Sequence, residues 1–412
     1  MKRQNIRLRI GILMMISMIL FGACGQSMPS IEQTASHETK ITEEAEAETE
    51  TTETEVEMEA TETETETEAT ESVAETEATE AEDEAEATET EAETEATESV
   101  AETEVIESEV LEIESTQDDK EPNEDEIKRV SEEIGLQVDQ VELDLPDVQN
   151  TYELLFVSDM HVVNLDESVL EQYKETIETR RDVMFRTRTG MASAEAWPKL
   201  ASVLDDFSAD GIIFGGDMID FASPANMQVL SQGLSQVTTP YIYLRADHDL
   251  EAWFSGGAIG MGDSLDMHAA ISSYQDMFVM EYPEFYILGW NNSTSQLTNH
   301  GLNTALKIWD SGKPIILATH VPINSIVDSS LEEVSANVDP ENRKKVWGNG
   351  CLYRPKGNTE AFLDMLYDEN SPVKAVLSGH LHFRHVVQLT EQTVEYVFAP
   401  AFEGDIAKIV IK

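Results

Sequence analysis

Across its 412 residues the chain carries 82 acidic and 26 basic side chains, a formal net charge of −56, and two cysteines. A balance this acidic excludes a broad basic nucleic-acid surface and electrostatic docking on anionic lipid, so an anionic substrate must be drawn by something local such as bound cations. The charge is also uneven: 46 of the acidic residues lie between Ile31 and Asn150 against four basic ones, leaving an ordinary mixture and enough length for a sizeable core in the C-terminal part.

At the N-terminus, Lys2, Arg3, Arg7 and Arg9 flank and precede an uncharged apolar run from Ile10 to Leu20, the profile of a secretory signal. The run is short of the roughly 20 residues that a membrane span needs. It ends in Leu20-Phe21-Gly22-Ala23-Cys24, which resembles the bacterial lipoprotein signal, with Phe21 where that pattern usually has leucine. The resemblance implies a signal peptide over residues 1–23, lipidation at Cys24 and an extracytoplasmic protein anchored to the bacterial cell membrane. An uncleaved anchor with Cys24 incidental is the alternative. With Cys24 acylated, Cys351 has no intrachain partner and is an ordinary free thiol.

Residues 24–121 read as an acidic, disordered stalk. From His37 to Asp119 the chain is nearly all Glu, Thr and Ala, and TESVAETE occurs at Thr70–Glu77 and again at Thr97–Glu104. Such a segment buries too little apolar area to offset its backbone entropy, and its charges repel. About 85 flexible residues span roughly 50 Å, enough to hold a domain clear of a surface. Threonine glycosylation or cation binding by the carboxylates are sharper readings than a plain spacer.

Residues 122–412 read as one α/β domain. Pro122 to Gly135 is helical, with Asn123 as N-cap and Gly135 as stop. Buried-strand runs follow at Tyr152–Ser158, Gly211–Phe214, Pro240–Leu244, Pro314–Ala318 and Val373–Leu377, and Val386–Lys412 reads as two or three more strands. Helical candidates lie between them at Leu170–Arg181, Ala194–Phe207, Asn226–Gln236, Asp263–Phe278, Gln296–Asp310 and Thr359–Asp368. Alternation of this kind predicts largely parallel sheets with the site beyond the strand C-termini.

Metal-ligand residue types stand at those ends. Asp159-Met160-His161 follows the first strand, Gly216-Asp217-Met218-Ile219-Asp220 the second, Asp247-His248-Asp249 the third, His320 the fourth and Gly379-His380-Leu381-His382 the fifth. Five of the nine histidines fall in these loops. Each motif alone is weak, since such residues often only cap a loop, but five in order are specific. The order D-x-H, GDxxD, [N/D]-H, H, GHxH resembles that of the calcineurin-like metallophosphoesterases, over the chain from about Thr151 to its end.

The resemblance implies an αββα sandwich of two mixed sheets flanked by helices, and two metal ions. Two ions about 3.5 to 4 Å apart neutralise phosphoryl oxygens and activate a bridging hydroxide as nucleophile. It implies Asp159, His161 and His382 on the first ion, His320 and His380 on the second, Asp217 between them and Asp247 completing the second site. His248 would contact phosphate or protonate the leaving oxygen, with Asp249 orienting it. Mixed carboxylate and imidazole ligands suit manganese, iron, zinc or nickel over calcium.

One position departs from the pattern: Ala246-Asp247-His248 stands where the family usually has Gly-Asn-His. A third carboxylate brings a site of about one positive charge to about neutral, which predicts tighter metal binding with weaker Lewis acidity, unless one ion is trivalent iron. Asp220 reads as a local loop acceptor, and Arg180, Arg181, Arg186 and Arg188 as a solvated helix face more readily than a phosphate grip. Trp253, Phe254, Trp290, Trp347 and Tyr353 could pack the core or line a pocket, and His268, His300 and His385 are structural. The expected function is extracytoplasmic hydrolysis of a phosphomonoester or phosphodiester. A metal-binding surface protein with little turnover is the alternative, and protein partners are not indicated.

Overall fold

The computed structural model describes residues 110–113, 122–166, 171–250, 252, 268–269, 271, 275–293, 296–338 and 354–412. The signal region, Cys24, the acidic tract up to residue 109 and Trp253, Phe254, Trp347, Cys351 and Tyr353 lie outside the described residues. None of the helices described is long and apolar enough to cross a membrane.

Strand β3 (Tyr152–Val157) is a near-continuous apolar run because both of its faces are buried. Leu154 and Phe156 enter one core while Leu155 and Val157 enter another. The same division holds in β4 (Gly211–Phe214), where Ile213 faces inward and Ile212 and Phe214 outward, and in β8 (Ile315–Thr319), where Ile316 and Ala318 oppose Ile315 and Leu317. Two sheets facing each other, each covered outside by helices, satisfy that pattern.

The five-stranded sheet runs β2 (Gln137–Leu143), β12 (Asp405–Ile411), β3, β4, β5 (Tyr241–Tyr243). The seven-stranded sheet runs β1 (Val110–Glu112), β6 (Met277–Glu281), β7 (Tyr286–Trp290), β8, β9 (Val373–Ser378), β11 (Val394–Val397), β10 (His385–Gln388). β3, β4 and β5 are mutually parallel, as are β7, β8 and β9, while β12 against β3 and β6 against β7 are antiparallel. Both sheets are therefore mixed.

Between the sheets lie Leu154, Phe156, Ile213, Ile287, Ile316, Leu377, Phe398 and Ile409. Helices α1 (Glu124–Ile134), α3 (Ser193–Leu204) and α4 (Pro224–Leu234) cover the five-stranded sheet through Ile134, Trp197, Leu200 and Leu230. On the other side, α5 (Asn299–Trp309) and α7 (Asn358–Tyr367) cover the seven-stranded sheet through Ala305, Ile308, Phe362 and Leu366. Helix α2 (Glu171–Thr179) lies in the insertion between the first two motifs, and α6 (Ser330–Val338) follows the His320 loop. Asn123 caps α1 by accepting from the Glu126 N–H, and Gly135 ends it in the left-handed conformation at φ 71°.

Three differences from the sequence reading have local causes. Met277 and Phe278, the end of the helix expected over Asp263–Phe278, belong to β6, which turns through Pro283 and Glu284 into β7; the Tyr282 N–H donates to Phe285 O to close the hairpin. β2 alternates with exposed polar residues on the sheet edge and so lacks the apolar run that marks the inner strands. Val110–Glu112, within the segment read as stalk, pairs in parallel with Val279–Glu281; Val-Leu-Glu-Ile is the β-prone island in an otherwise polar tract.

Trp197 is fully buried, and its Nε1–H donates to Leu230 O at 3.1 Å across the α3–α4 contact, where Gly233 leaves no room for a Cβ beside the indole. Trp197→Ala should lower unfolding free energy by about 3 to 5 kcal/mol, read from equilibrium urea denaturation.

Candidate metal centre

Each motif begins within four residues of a strand end, so the sheets fix its origin and the loop conformation aims its side chains. Seven described non-glycine residues have positive φ, and five are expected ligands: Asp159 (56°), His161 (43°), Asp217 (52°), His380 (69°) and His382 (56°). A left-handed L-residue costs about 1 to 2 kcal/mol, and such strain gathers where function demands a particular orientation. The motif glycines have a complementary reason. A Cβ on Gly379 would meet Asp159 Oδ2 at 2.3 Å, and one on Gly216 would meet His320 Nδ1 at 2.9 Å, so only glycine lets the loops approach this closely.

Two clusters result. Asp159, His161 and His382 form one, and Asp217, Asp247, His320 and His380 the other, the ligand atoms of each lying within 4.8 Å of one another. Asp217 Oδ2 stands between them, 3.1 Å from His320 Nε2 and 3.6 Å from His161 Nε2. His161 Nε2 faces His382 Nε2 at 3.1 Å, and His320 Nε2 faces His380 Nδ1 at 3.2 Å. Asp247 turns inward, and its Oδ1 is buried with no hydrogen-bond partner.

A backbone carbonyl and a buried carboxylate set the ring states. His320 Nδ1–H donates to Gly215 O at 2.9 Å, and His161 Nδ1 lies 3.2 Å from Asp220 Oδ1. Each contact assigns Nδ1 the proton and leaves Nε2 to the cluster, the support a ligating histidine needs. With converging imidazole nitrogens, carboxylate oxygens and an orphaned buried oxygen, the residues fit two transition-metal ions of the manganese, iron, zinc or nickel type.

Electrostatics point the same way. Burial pushes His161 down to about 3, so its ring is neutral. His320 is also buried, yet Asp217, Asp159 and Asp247 outweigh desolvation and raise it to about 10. His248 follows suit: burial opposes charge, but Asp217, Asp220 and Asp247 raise it to about 10. Asp159 resists its burial because the bond with His382 and the neighbouring His320 and His161 hold it below the usual range. Asp217 is raised by burial and by Asp247, against the pull of His320 and His248. The cation-free cluster thus takes up protons where positive charge is required.

His248 sits beside both clusters, its backbone N–H 3.2 Å from Asp217 Oδ1 and its Nδ1–H donating to Asp220 O at 3.0 Å. The structure gives its orienting contacts to Asp220 and corrects the expectation for Asp249. Asp249 accepts instead from the backbone N–H groups of Asp217, Ile219 and Ala246 and from Tyr243 Oη, at 2.9 to 3.1 Å. It builds the Asp217 loop because four donors converge on it. Asp220 is more than a local acceptor: His161, Asp220 and His248 form a third close group. Arg180 is buried against Asp220 and not part of a solvated face. Arg181 pairs with Asp182, Arg186 binds Gly190 O, and Arg188 binds Asp405, so none of the three is placed on the ligand clusters. Trp290 and His268 are buried in the interior.

Other supports carry no motif signature. Asn292 Oδ1 accepts from the N–H groups of His320 and Val321, while Asn291 Oδ1 accepts from Arg245 N–H, bracing the loops that carry His320 and Asp247. Glu395, fully buried on β11, accepts from Ile323 N–H at 3.0 Å and Ser378 Oγ at 2.9 Å, tying the His320 loop to the strand that leads into His380. Their sequence clue is modest: two adjacent amides after a strand, and one acid inside a β-rich run.

Residues 152–384 match the profile of the calcineurin-like phosphoesterases (Metallophos). The chain belongs to this family of metal-dependent phosphoesterases. No curated protein matches it significantly. Among solved structures, a dimetal phosphatase from Danio rerio shares 11% identity at a TM-score of 0.37, covering 61% of this chain and 88% of its own. A provisionally assigned 5′-nucleotidase from Staphylococcus aureus shares 11% identity (TM-score 0.34, 63% of this chain, 51% of its own), and a 5′-nucleotidase from Candida albicans SC5314 shares 11% (0.33, 65%, 48%). This chain spans about half the length of the two nucleotidases.

With His320 raised to about 10 in the cation-free cluster, metal uptake should release a proton and strengthen as pH rises toward about 10. Titration calorimetry in buffers of different ionisation enthalpy reads both. Burial raises Glu395 to about 8 against the donors that favour its ionised form. The native state therefore holds this proton longer than the unfolded chain, and stability falls as pH rises from about 4.5 through about 8. Glu395→Gln, which keeps an acceptor and removes the charge, should melt above wild type at high pH and close to it near pH 5.

Proposed function

We propose that the protein hydrolyses phosphate esters outside the cytoplasm. The observation that carries the reading is the convergence of seven expected ligands from five strand-end loops into two clusters that share Asp217. Asp159, His161 and His382 would hold one ion, Asp247, His320 and His380 the other, and Asp217 both. When bound, such a pair of ions neutralises phosphoryl oxygens and lowers the pKa of water between them.

The chain's own groups supply the rest. Gly215 O and Asp220 hold His320 and His161 with Nε2 toward the clusters. His248, fixed through Nδ1 and with its side chain 21% exposed, keeps its other nitrogen for the substrate side. There it can hold a phosphoryl oxygen or give a proton to the leaving oxygen as the P–O bond breaks, a role suited to imidazole. The basic and apolar N-terminus ending in Cys24 supports export and lipid anchoring, and the acidic tract supports a spacer function. Monoester and diester substrates, including nucleotides, wall polymers and lipid head groups, all suit a two-ion site.

Asp247 in place of an amide supports a second reading, a metal-binding surface protein with weak turnover, since the added carboxylate lowers the net positive charge of the loaded site. The two readings separate on chromogenic phosphodiester and monoester substrates with manganese, iron, zinc or nickel added. The expected result is metal-dependent cleavage that falls at least about 100-fold in Asp217→Asn and relative rates that identify the ester class. Two ions verified in the protein with no cleavage of either ester would reject the enzyme reading in favour of the second.

A further inference from the structure

Beneath the first cluster lies a buried ion pair for which the hydrolytic reading has no chemical step. Arg180 begins the π-helical turn Arg180–Met184 that continues α2, in the insertion between the first two motifs. The residue is 3% exposed, and Nε and Nη2 donate in parallel to the two carboxylate oxygens of fully buried Asp220. The same carboxylate lies 3.2 Å from Nδ1 of His161 and 3.2 Å from Nδ1 of His248.

A second path leads from Arg180 to the same histidine. The Phe185 N–H donates to Arg180 O at 2.9 Å, the five-residue closure of a π-turn, which makes residues 180 and 185 neighbours where an α-helix would pair 180 with 184. The Arg180 guanidinium carbon lies 4.9 Å from the centroid of Phe185, a cation–π contact. Phe185 in turn stacks on His161 with centroids 4.3 Å apart and planes 6° from parallel. Arg180 thus bears on the ring edge of His161 through Asp220 and on its face through Phe185. The second cluster is braced by other groups: Gly215 O and Asn292 for His320, and Glu395 through Ser378 for the His380 loop.

We propose that Arg180 is a positioning residue for the first metal ion alone: it holds Asp220 and Phe185 on two sides of His161, and so fixes the tautomer and plane in which that ring presents Nε2. The proposal rests on the two-ion reading of the site. A planar, doubly donating fork is needed for this, which a lysine cannot replace. An ordinary structural brace would instead affect folding, or both ions alike.

The test is a manganese titration of the full chain, with bound metal counted and electron paramagnetic resonance separating coupled ion pairs from single ions. Arg180→Lys keeps the charge and loses the fork. Arg180→Met with Asp220→Asn removes both buried charges together, so that neither remains unpaired if the single variant fails to fold. In each, the first ion should bind about 10- to 100-fold more weakly, with the second unchanged and the coupled signal replaced by that of a single ion. His161→Ala supplies the reference for a lost first site. Two ions bound as tightly as in wild type, or both weakened equally, would overturn the proposal, as would a wild-type chain that binds fewer than two. A wild type that binds two ions and cleaves no ester would reject the hydrolytic reading while leaving this one in place.

Discussion

Three carboxylates, Asp159, Asp217 and Asp220, are each at most 1% exposed at one end of the sandwich, with Asp247 beside them. Like charges withdrawn from water repel strongly and tolerate burial only when paired or bound to cations. Each has a different answer: His382 bonds Asp159, His320 lies against Asp217, and Arg180 forks onto Asp220. The strained loop residues and the glycines that admit close approach are the means by which two sheets bring these charges together. Asp220 is neutralised from within the chain by Arg180, whereas Asp217 and Asp247 share a group with His320 and His380. That difference separates the groups that support the centre from those placed to hold ions.

The support is layered by origin. Strand-end motifs supply the converging atoms, whereas their bracing comes from elsewhere: Asn291 and Asn292 after β7, Glu395 on β11, and Arg180 and Phe185 from the insertion. Asp249 belongs to this second group despite sitting beside His248, because three backbone N–H groups and a tyrosine hydroxyl already converge on it. Adjacency in sequence is a poor guide to contact in a tight turn, where successive side chains point apart.

What the sequence made legible follows from range. The inner strands were readable because double burial forces an apolar run, and the ligands because a strand end, a glycine and an acid or histidine are all local. Edge strand β2 and the β6–β7 hairpin were not, since one alternates with solvent and the other is short and follows a stretch of mixed periodicity. Arg180 was misread for a related reason: a run of arginines looks like a solvated face until a partner 40 residues away is known. The order of motifs gave the centre, and only the tertiary contacts gave what steadies it.

The left-handed conformations of five residues placed to bind metal bear on how the protein matures. Loops that adopt left-handed backbone while drawing carboxylates together would close more favourably around a cation than without one, so loading would stabilise the folded centre. Mixed imidazole and carboxylate ligands discriminate weakly among neighbouring first-row metals, whose affinities follow a fixed ascending series whatever the protein. The ion bound would then depend on the surroundings in which the chain is loaded, and the same polypeptide matured in two places would carry two different chemistries.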